Sequence, residues 1–408
     1  MQQPPMHYGS GTDAAHHDRP VRTLQFLRPV GGALLWALTV TVASACRRPE
    51  TPKATAREAS VAIGVGAAAG RPGYESLRQG MELAVARLNA SGAARFRLRF
   101  PDSAAVSAVR IAQELRDDPA VLGVVGHPES GQTLEALPVY ADAEHMGKNA
   151  VVAISPTASS PQLSGISPWF FRVAPSDDVA ARFVAQWVQD SLHATRAAVI
   201  YRNDSYGRDW ASTFADAFVR DGATVVARDP YLHSVTEWDA YATQIARLKP
   251  DVLLFPGDTD DAVELLKALR EANVTVPFVG GDGTEGLRAH TIAEGAHYVS
   301  FFDPDAIETE EGRTFARVYR EKYGHDPDMF AAMAYDATLA IGRSVNKGAR
   351  TRLALRRSLE RLGTNGTPKL EGASGLIAFE KNHDITTRRV FMASIPARVP
   401  LVADGDIR

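Results

Sequence analysis

One cysteine in a chain of 408 residues leaves no partner for a disulfide and too few thiolates for a Cys-rich zinc or iron–sulfur site. An excess of one charge is also missing. The 45 Lys and Arg face 48 Asp and Glu, so a formal charge of −3 gives no basic footprint for nucleic acid. Apolar runs long enough for repeated membrane spans are absent, which excludes a polytopic membrane protein. No His-x-x-x-His or His-Glu-x-x-His spacing occurs, so the sequence encodes no helical zinc pair. The length is enough for two cores, since single cores stop growing at about 250–300 residues.

The cysteine itself is informative by position. Cys46 ends the uncharged run 29–45, which Arg19, Arg22 and Arg28 precede. A basic region, a short apolar stretch and small residues before a cleavage point make a secretory leader. Ala43-Ser-Ala-Cys46 resembles the bacterial lipobox, in which the cysteine is acylated and becomes the new N-terminus. Plain cleavage at Ala-Ser-Ala is the alternative and would leave Cys46 unlipidated. A body with no other cysteine favours lipidation, and two or more acyl chains would hold the protein on a membrane surface. Residues 46–60 are polar, carry Pro49 and Pro52, and read as a tether.

From Val61 onward, short apolar runs alternate with amphipathic stretches. Strands are expected at 61–65, 96–100, 121–125, 150–154, 197–201, 223–228, 251–255, 277–280 and 297–301. A helical stripe runs through Leu77, Met81, Ala84, Val85 and Leu88, and another through Val106, Val109, Ile111 and Leu115. Further helices are expected at 131–144, 178–192, 207–221, 238–248, 260–272, 310–323, 328–347 and 351–362. Continuous apolar strands alternating with helices indicate parallel sheets covered on both faces. The fold class is therefore α/β, with two sheets of four to six strands. Gly375–Phe379 and Arg389–Ile395 read as a terminal hairpin.

Two familiar motifs fail on inspection. Gly64-Val-Gly66-Ala-Ala-Ala-Gly70 has the wrong glycine spacing for a dinucleotide fingerprint, and the nearest strand-end acid, Asp102, lies too far downstream. Ser130, in Gly126-His-Pro-Glu-Ser-Gly131, is not a nucleophile elbow. No catalytic constellation or cofactor motif stands out, so the sequence supports no enzyme. What stands out is the chemistry at several strand ends. Ser130 to Thr133 and Ser155-Pro-Thr157-Ala158-Ser159-Ser160 offer hydroxyls and helix-start amides, which suit a carboxylate. Tyr206, Asp258 and Asp282 follow later strands and suit an ammonium. Each turn taken alone is equally compatible with plain helix N-capping.

These turns resemble those of the type I periplasmic solute-binding proteins, specifically the leucine/isoleucine/valine-binding receptors of ABC importers. The resemblance covers nearly all of 61–395. It rests on Arg78–Gly92, Val124–His127 with Ser130, Ile154–Leu163, Phe171–Asp177, Val199–Gly207, Phe278–Gly283 and Ala332–Ala337, in that order. It implies two Rossmann-like lobes joined by a three-segment hinge, with crossings near 174–177, 300–303 and 384–388. The first lobe would be 61–175 plus 303–385, and the second 176–302 plus 386–408.

By the same resemblance, Ser130 and the turn Thr157, Ala158 and Ser159 hold a ligand carboxylate. Tyr206 and Asp282 meet its ammonium, and Tyr74 is the nearest aromatic to cover it. Asp258 stands where many relatives have glycine or an aromatic; it either adds negative charge favouring a cationic ligand or points to solvent. The segment 144–149 is longer than in the family, and the turn 67–73 lacks the usual hydroxyls. The implied role is an extracytoplasmic lipoprotein that passes an amino-acid-like ligand to ABC permease subunits. A sensory lipoprotein of the same fold is the alternative.

Overall fold

The computed structural model describes residues 60–396 other than 72, 93, 103–106, 233–236, 365 and 386–387. The leader, Cys46, most of the expected tether, Val106 and the chain from 397 lie outside the described residues.

Where the sequence is continuously apolar, the chain forms strands buried on both faces. Val61–Gly66 (β1) is followed by Tyr74–Ser91 (α1), Phe96–Arg99 (β2), Ala108–Asp117 (α2), Val121–Gly126 (β3), Ser130–Tyr140 (α3), Val152–Ser155 (β4) and Phe170–Arg172 (β5). These strands make one sheet in the order β2-β1-β3-β4-β5, parallel throughout. The chain then leaves for a second sheet. Asp177–Leu192 (α4) leads to Arg196–Arg202 (β6), Ser205–Arg220 (α5), Thr224–Tyr231 (β7), Trp238–Leu248 (α6), Val252–Phe255 (β8), Thr259–Glu271 (α7), Phe278–Gly280 (β9) and His297–Ser300 (β10).

After β10 the chain returns to the first sheet. Glu310–Tyr323 (α8), Met329–Asn346 (α9) and Arg352–Glu360 (α10) pack against α1, β3 and β4. The α1–α9 contact needs a missing side chain, because a Cβ on Gly80 would lie 2.0 Å from the Ala331 carbonyl oxygen. Leu370–Glu371 (β11) and Leu376–Ile377 (β12) form a small ladder of their own. Phe391–Ser394 (β13) then joins the second sheet, whose order is β13-β10-β9-β8-β6-β7, antiparallel only at β13.

That last placement corrects the expected terminal hairpin. Gly375–Phe379 and Arg389–Ile395 do not pair with each other; Leu376 and Ile377 pair with Glu371 and Leu370, while β13 pairs with β10. Each segment is apolar enough to be a strand, but its partner comes from another part of the chain. The helix expected over 131–144 ends at Tyr140, where Asp142 adopts left-handed backbone at φ 50. The 144–149 segment follows that buried aspartate, which accepts from His145 Nδ1 at 2.9 Å and Asn149 N at 2.7 Å. The three-residue β5 has no separate sequence signal.

The first and third crossings between the sheets are tied together by buried arginines. Arg172 is fully buried at the end of β5. Its Nε donates to Asp384 Oδ1 at 2.7 Å, Nη1 to the Ser160 carbonyl at 2.9 Å and Nη2 to Ser164 Oγ at 2.7 Å. The Phe171 ring stacks on His383 with centroids 4.0 Å apart. Arg388 Nε donates to the Val173 carbonyl at 3.0 Å, and its guanidinium lies 3.2 Å from the buried Asp336 carboxylate.

Candidate functional site

Parallel sheets collect their strand-to-helix turns at one edge, and the turns of both sheets here line one cavity of about 290 Å³. On the first sheet's side, the α3 start and the turn after β4 supply Pro128, Glu129, Ser130, Thr157 and Ser159. From the second come Arg202, Asn203, Asp204, Tyr206, Tyr231, Leu232, Asp258, Asp282 and Gly283. Arg71 and Phe330 complete the lining. The two walls touch beside the cavity, where Ser160 Oγ and Gln162 Nε2 donate to Asp209 on α5.

Neutral hydrogen-bonding groups prevail on the first wall, where Glu129 is the one ionisable side chain among those lining residues. Ser130 opens α3, and the first-turn amides of a helix have no intrahelical acceptor. Its hydroxyl oxygen accepts from Ser159 N at 3.2 Å and Ser160 N at 3.1 Å, which ties the α3 start to the turn after β4. Thr157 Oγ1 donates to the Pro128 carbonyl at 2.8 Å. With the positive end of the α3 dipole behind them, these groups favour an anion.

Carboxylates dominate the opposite wall. Asp204 caps α5 by accepting from Gly207 N at 2.8 Å, and that cap sets Tyr206 in the first turn. Tyr206 donates its hydroxyl to Asp282 Oδ1 at 2.9 Å and accepts from Gly283 N at 3.3 Å. Asp282 is 4% exposed, and burial pushes its carboxyl up to about 6. Behind it, Asp177 at the start of α4 is fully buried, with neither carboxylate oxygen in a hydrogen bond among the described residues. Burial and then the Asp282 charge raise Asp177 well above the aspartate range, which the Ser159 hydroxyl beside it only partly offsets. Burial holds both acids toward their neutral forms, and a cation arriving at Asp282, which lines the cavity, would restore its charge.

Six of the eight residues expected at the ligand line this cavity: Ser130, Thr157, Ser159, Tyr206, Asp258 and Asp282. Ala158 sits behind the lining; its side chain packs in a small cluster with Leu137, Leu163 and Phe170, and its N–H donates to Ser155 Oγ at 2.9 Å. Tyr74 is half-buried at the start of α1 and outside the lining, where Phe330 is the aromatic instead. Asp258 does not face solvent alone but pairs with Arg202, whose guanidinium also contacts Asp204. Sequence reasoning missed Arg71, Glu129, Arg202, Tyr231 and Phe330. Glu129 and Arg202 were within reach of the strand-end rule, since each adjoins a turn already singled out.

A family model described as periplasmic binding protein matches residues 64–399. The amino acid binding protein of Pseudomonas aeruginosa is 26% identical over 245 residues, which span 59% of this chain and 63% of that protein, under two thirds of its length. The Leu/Ile/Val-binding protein homolog 3 of Brucella melitensis is 24% identical over 77% of this chain and 84% of its own. Among solved structures, an ABC transporter substrate-binding protein from Desulfitobacterium hafniense in complex with Leu aligns at a TM-score of 0.68 and 26% identity, over 82% of this chain and 96% of that one. The isoleucine complex of the branched-chain amino acid transporter substrate-binding protein LivJ from Streptococcus pneumoniae shares the fold, with a TM-score of 0.74 at 23% identity over 83% and 97% of the two chains.

Proposed function

The chain belongs to the periplasmic binding protein family, in its type I branched-chain amino acid branch, and from that premise we propose that it is an extracytoplasmic receptor for an amino acid. One observation carries the reading: hydroxyls and a helix start on one wall of the cavity, with Glu129 beside them, face the buried Asp282 carboxylate on the other. That asymmetry matches a zwitterion. The ligand carboxylate would accept from the Ser130 hydroxyl and the first-turn amides of α3, beside the turn that Thr157 and Ser159 shape. The ammonium would donate to Asp282, with Tyr206 orienting that carboxylate and Phe330 covering the ligand from the rim. Hydrogen bonds between ionised groups out of water are the strong ones, and closure of the two walls would supply the desolvation.

Delivery to ABC permease subunits follows from the family, whose printed relatives include transporter substrate-binding proteins. A lipid on Cys46 would keep the receptor at the membrane beside that permease. Incorporation of labelled fatty acid into the wild-type chain and its loss in Cys46→Ala tests the anchor. A thermal-shift screen of the purified chain over the common amino acids tests the receptor. Stabilisation by at least one zwitterion is expected, and no shift with any of them would overturn the reading.

A further inference from the structure

Leucine, isoleucine and valine end in carbon, and a pocket made for them should be walled with carbon. Much of this wall is carbon, yet six of the sixteen lining residues are formally charged: Arg71, Glu129, Arg202, Asp204, Asp258 and Asp282. Asp282 is spoken for by the ammonium in the reading above, which leaves two guanidinium groups and three carboxylates around the rest of the ligand.

Arg202 is occupied within that group. It is clamped by Asp204 and Asp258, and its guanidinium carbon stands 5.9 Å from the Tyr206 ring centre. Its side chain is only 12% exposed, so the clamp is held largely out of water. Little of Arg202 is left to receive an anion.

Glu129 is different. It occupies the N-cap position of α3, where a side chain ordinarily bonds the first-turn amides, yet it makes no capping bond and lines the cavity instead. Gln132 Nε2 donates to Oε1 at 2.9 Å, and Arg71 stands 3.5 Å from the same oxygen. Oε2 has no hydrogen bond among the described residues, with Arg202 Nη2 at 3.7 Å. The Tyr231 hydroxyl is also buried in the lining, with the Asp261 carboxylate beside it to take its proton, which leaves its oxygen to accept. Both groups can accept from a ligand, and both would lose water to an aliphatic side chain for nothing in return.

We infer that the cleft selects an amino acid whose side chain ends in a hydrogen-bond donor, above all a cationic one, and rejects branched aliphatic side chains. The inference rests on the receptor reading above and adds the class of ligand. A guanidinium, ammonium or amide head can donate to the Glu129 carboxylate and the Tyr231 hydroxyl, while a carboxylate side chain meets three acids, with Arg202 clamped and Arg71 already beside Glu129.

Calorimetry on the purified full chain with arginine, lysine, glutamine, glutamate, leucine, isoleucine and valine tests this. Arginine, lysine or glutamine should bind at least about tenfold more tightly than the aliphatic three, the usual worth of a hydrogen bond to a charged group. Glu129→Gln should weaken arginine and lysine about tenfold and hold or tighten leucine, with a melting temperature near wild type to exclude misfolding. Tightest binding by leucine, isoleucine, valine or glutamate would overturn the ligand class and leave the receptor reading standing. Unchanged cation affinity in a folded Glu129→Gln would also overturn it. Binding by none of the seven, and no shift in the wider screen, would remove both readings together.

Discussion

Buried charge is handled in two ways in this molecule. At the hinge, Arg172 is wholly out of water and each of its three nitrogens is in a hydrogen bond, with Asp384 as the counter-charge. In the cleft, Asp282 is buried with a tyrosine for a partner and no cation among the described residues, and behind it Asp177 is wholly buried and bonded through neither oxygen. Arg172 is complete in the chain as it stands, although Arg388 beside it keeps both Nη atoms outside hydrogen bonds near the Asp336 carboxylate; Asp282 is completed only with something added. A fold that satisfies one buried charge so fully and leaves Asp282 short has placed that deficit where a ligand can correct it.

The largest test breaks the hinge side of this contrast. Asp384→Ala leaves Arg172 buried without its carboxylate and should cost about 3–5 kcal/mol of stability by denaturant unfolding. A loss under about 1 kcal/mol would mean the hinge is not built on that pair. On the cleft side, Asp282→Ala should weaken amino-acid binding about a hundredfold by calorimetry, because the ligand ammonium is then buried unpaired. Stability of the unliganded variant should hold or rise, opposite in sign to the hinge variant.

Acidity gives a third handle. Asp282 moves up from the ordinary value of 3.8 to about 6, so the folded unliganded chain binds its proton more tightly than the unfolded one. Its contribution to stability is present below about 4 and is lost as pH rises through about 6. Ligand affinity should run the other way, falling about tenfold from pH 7 to pH 5 as the carboxylate takes its proton, with proton release on binding near pH 5. Calorimetry in two buffers of different ionisation enthalpy reads that proton directly. Ser130→Ala removes one neutral hydroxyl and should cost about fivefold to tenfold in affinity. Asp177→Asn should be the mildest, raising unliganded stability at pH 7 by about 1 kcal/mol while weakening the ligand.

Much of this was legible before the structure. Strands such as Val121–Gly126 and Val252–Phe255 are buried on both faces, so their apolar runs are unbroken and easy to read. Phe170–Arg172 is too short to show a period, and β13 reveals its partner only in three dimensions. In the cavity, Ser130, Tyr206 and Asp282 stand at strand ends, where position alone marks them. Glu129, Arg71 and Arg202 read as ordinary surface charge, since sequence does not show which charges another element will cover. Phe330 was harder, because it comes from α9, which enters the cleft from a separate crossing.

The central claim is that the two walls hold the two ends of one zwitterion. Calorimetry with arginine, glutamine and leucine, each free, Nα-acetylated and as the α-amide, tests it most directly. The account predicts that whichever of the three binds tightest loses most of its affinity in both blocked forms. An Nα-acetyl or α-amide form binding as tightly as the free amino acid would contradict it.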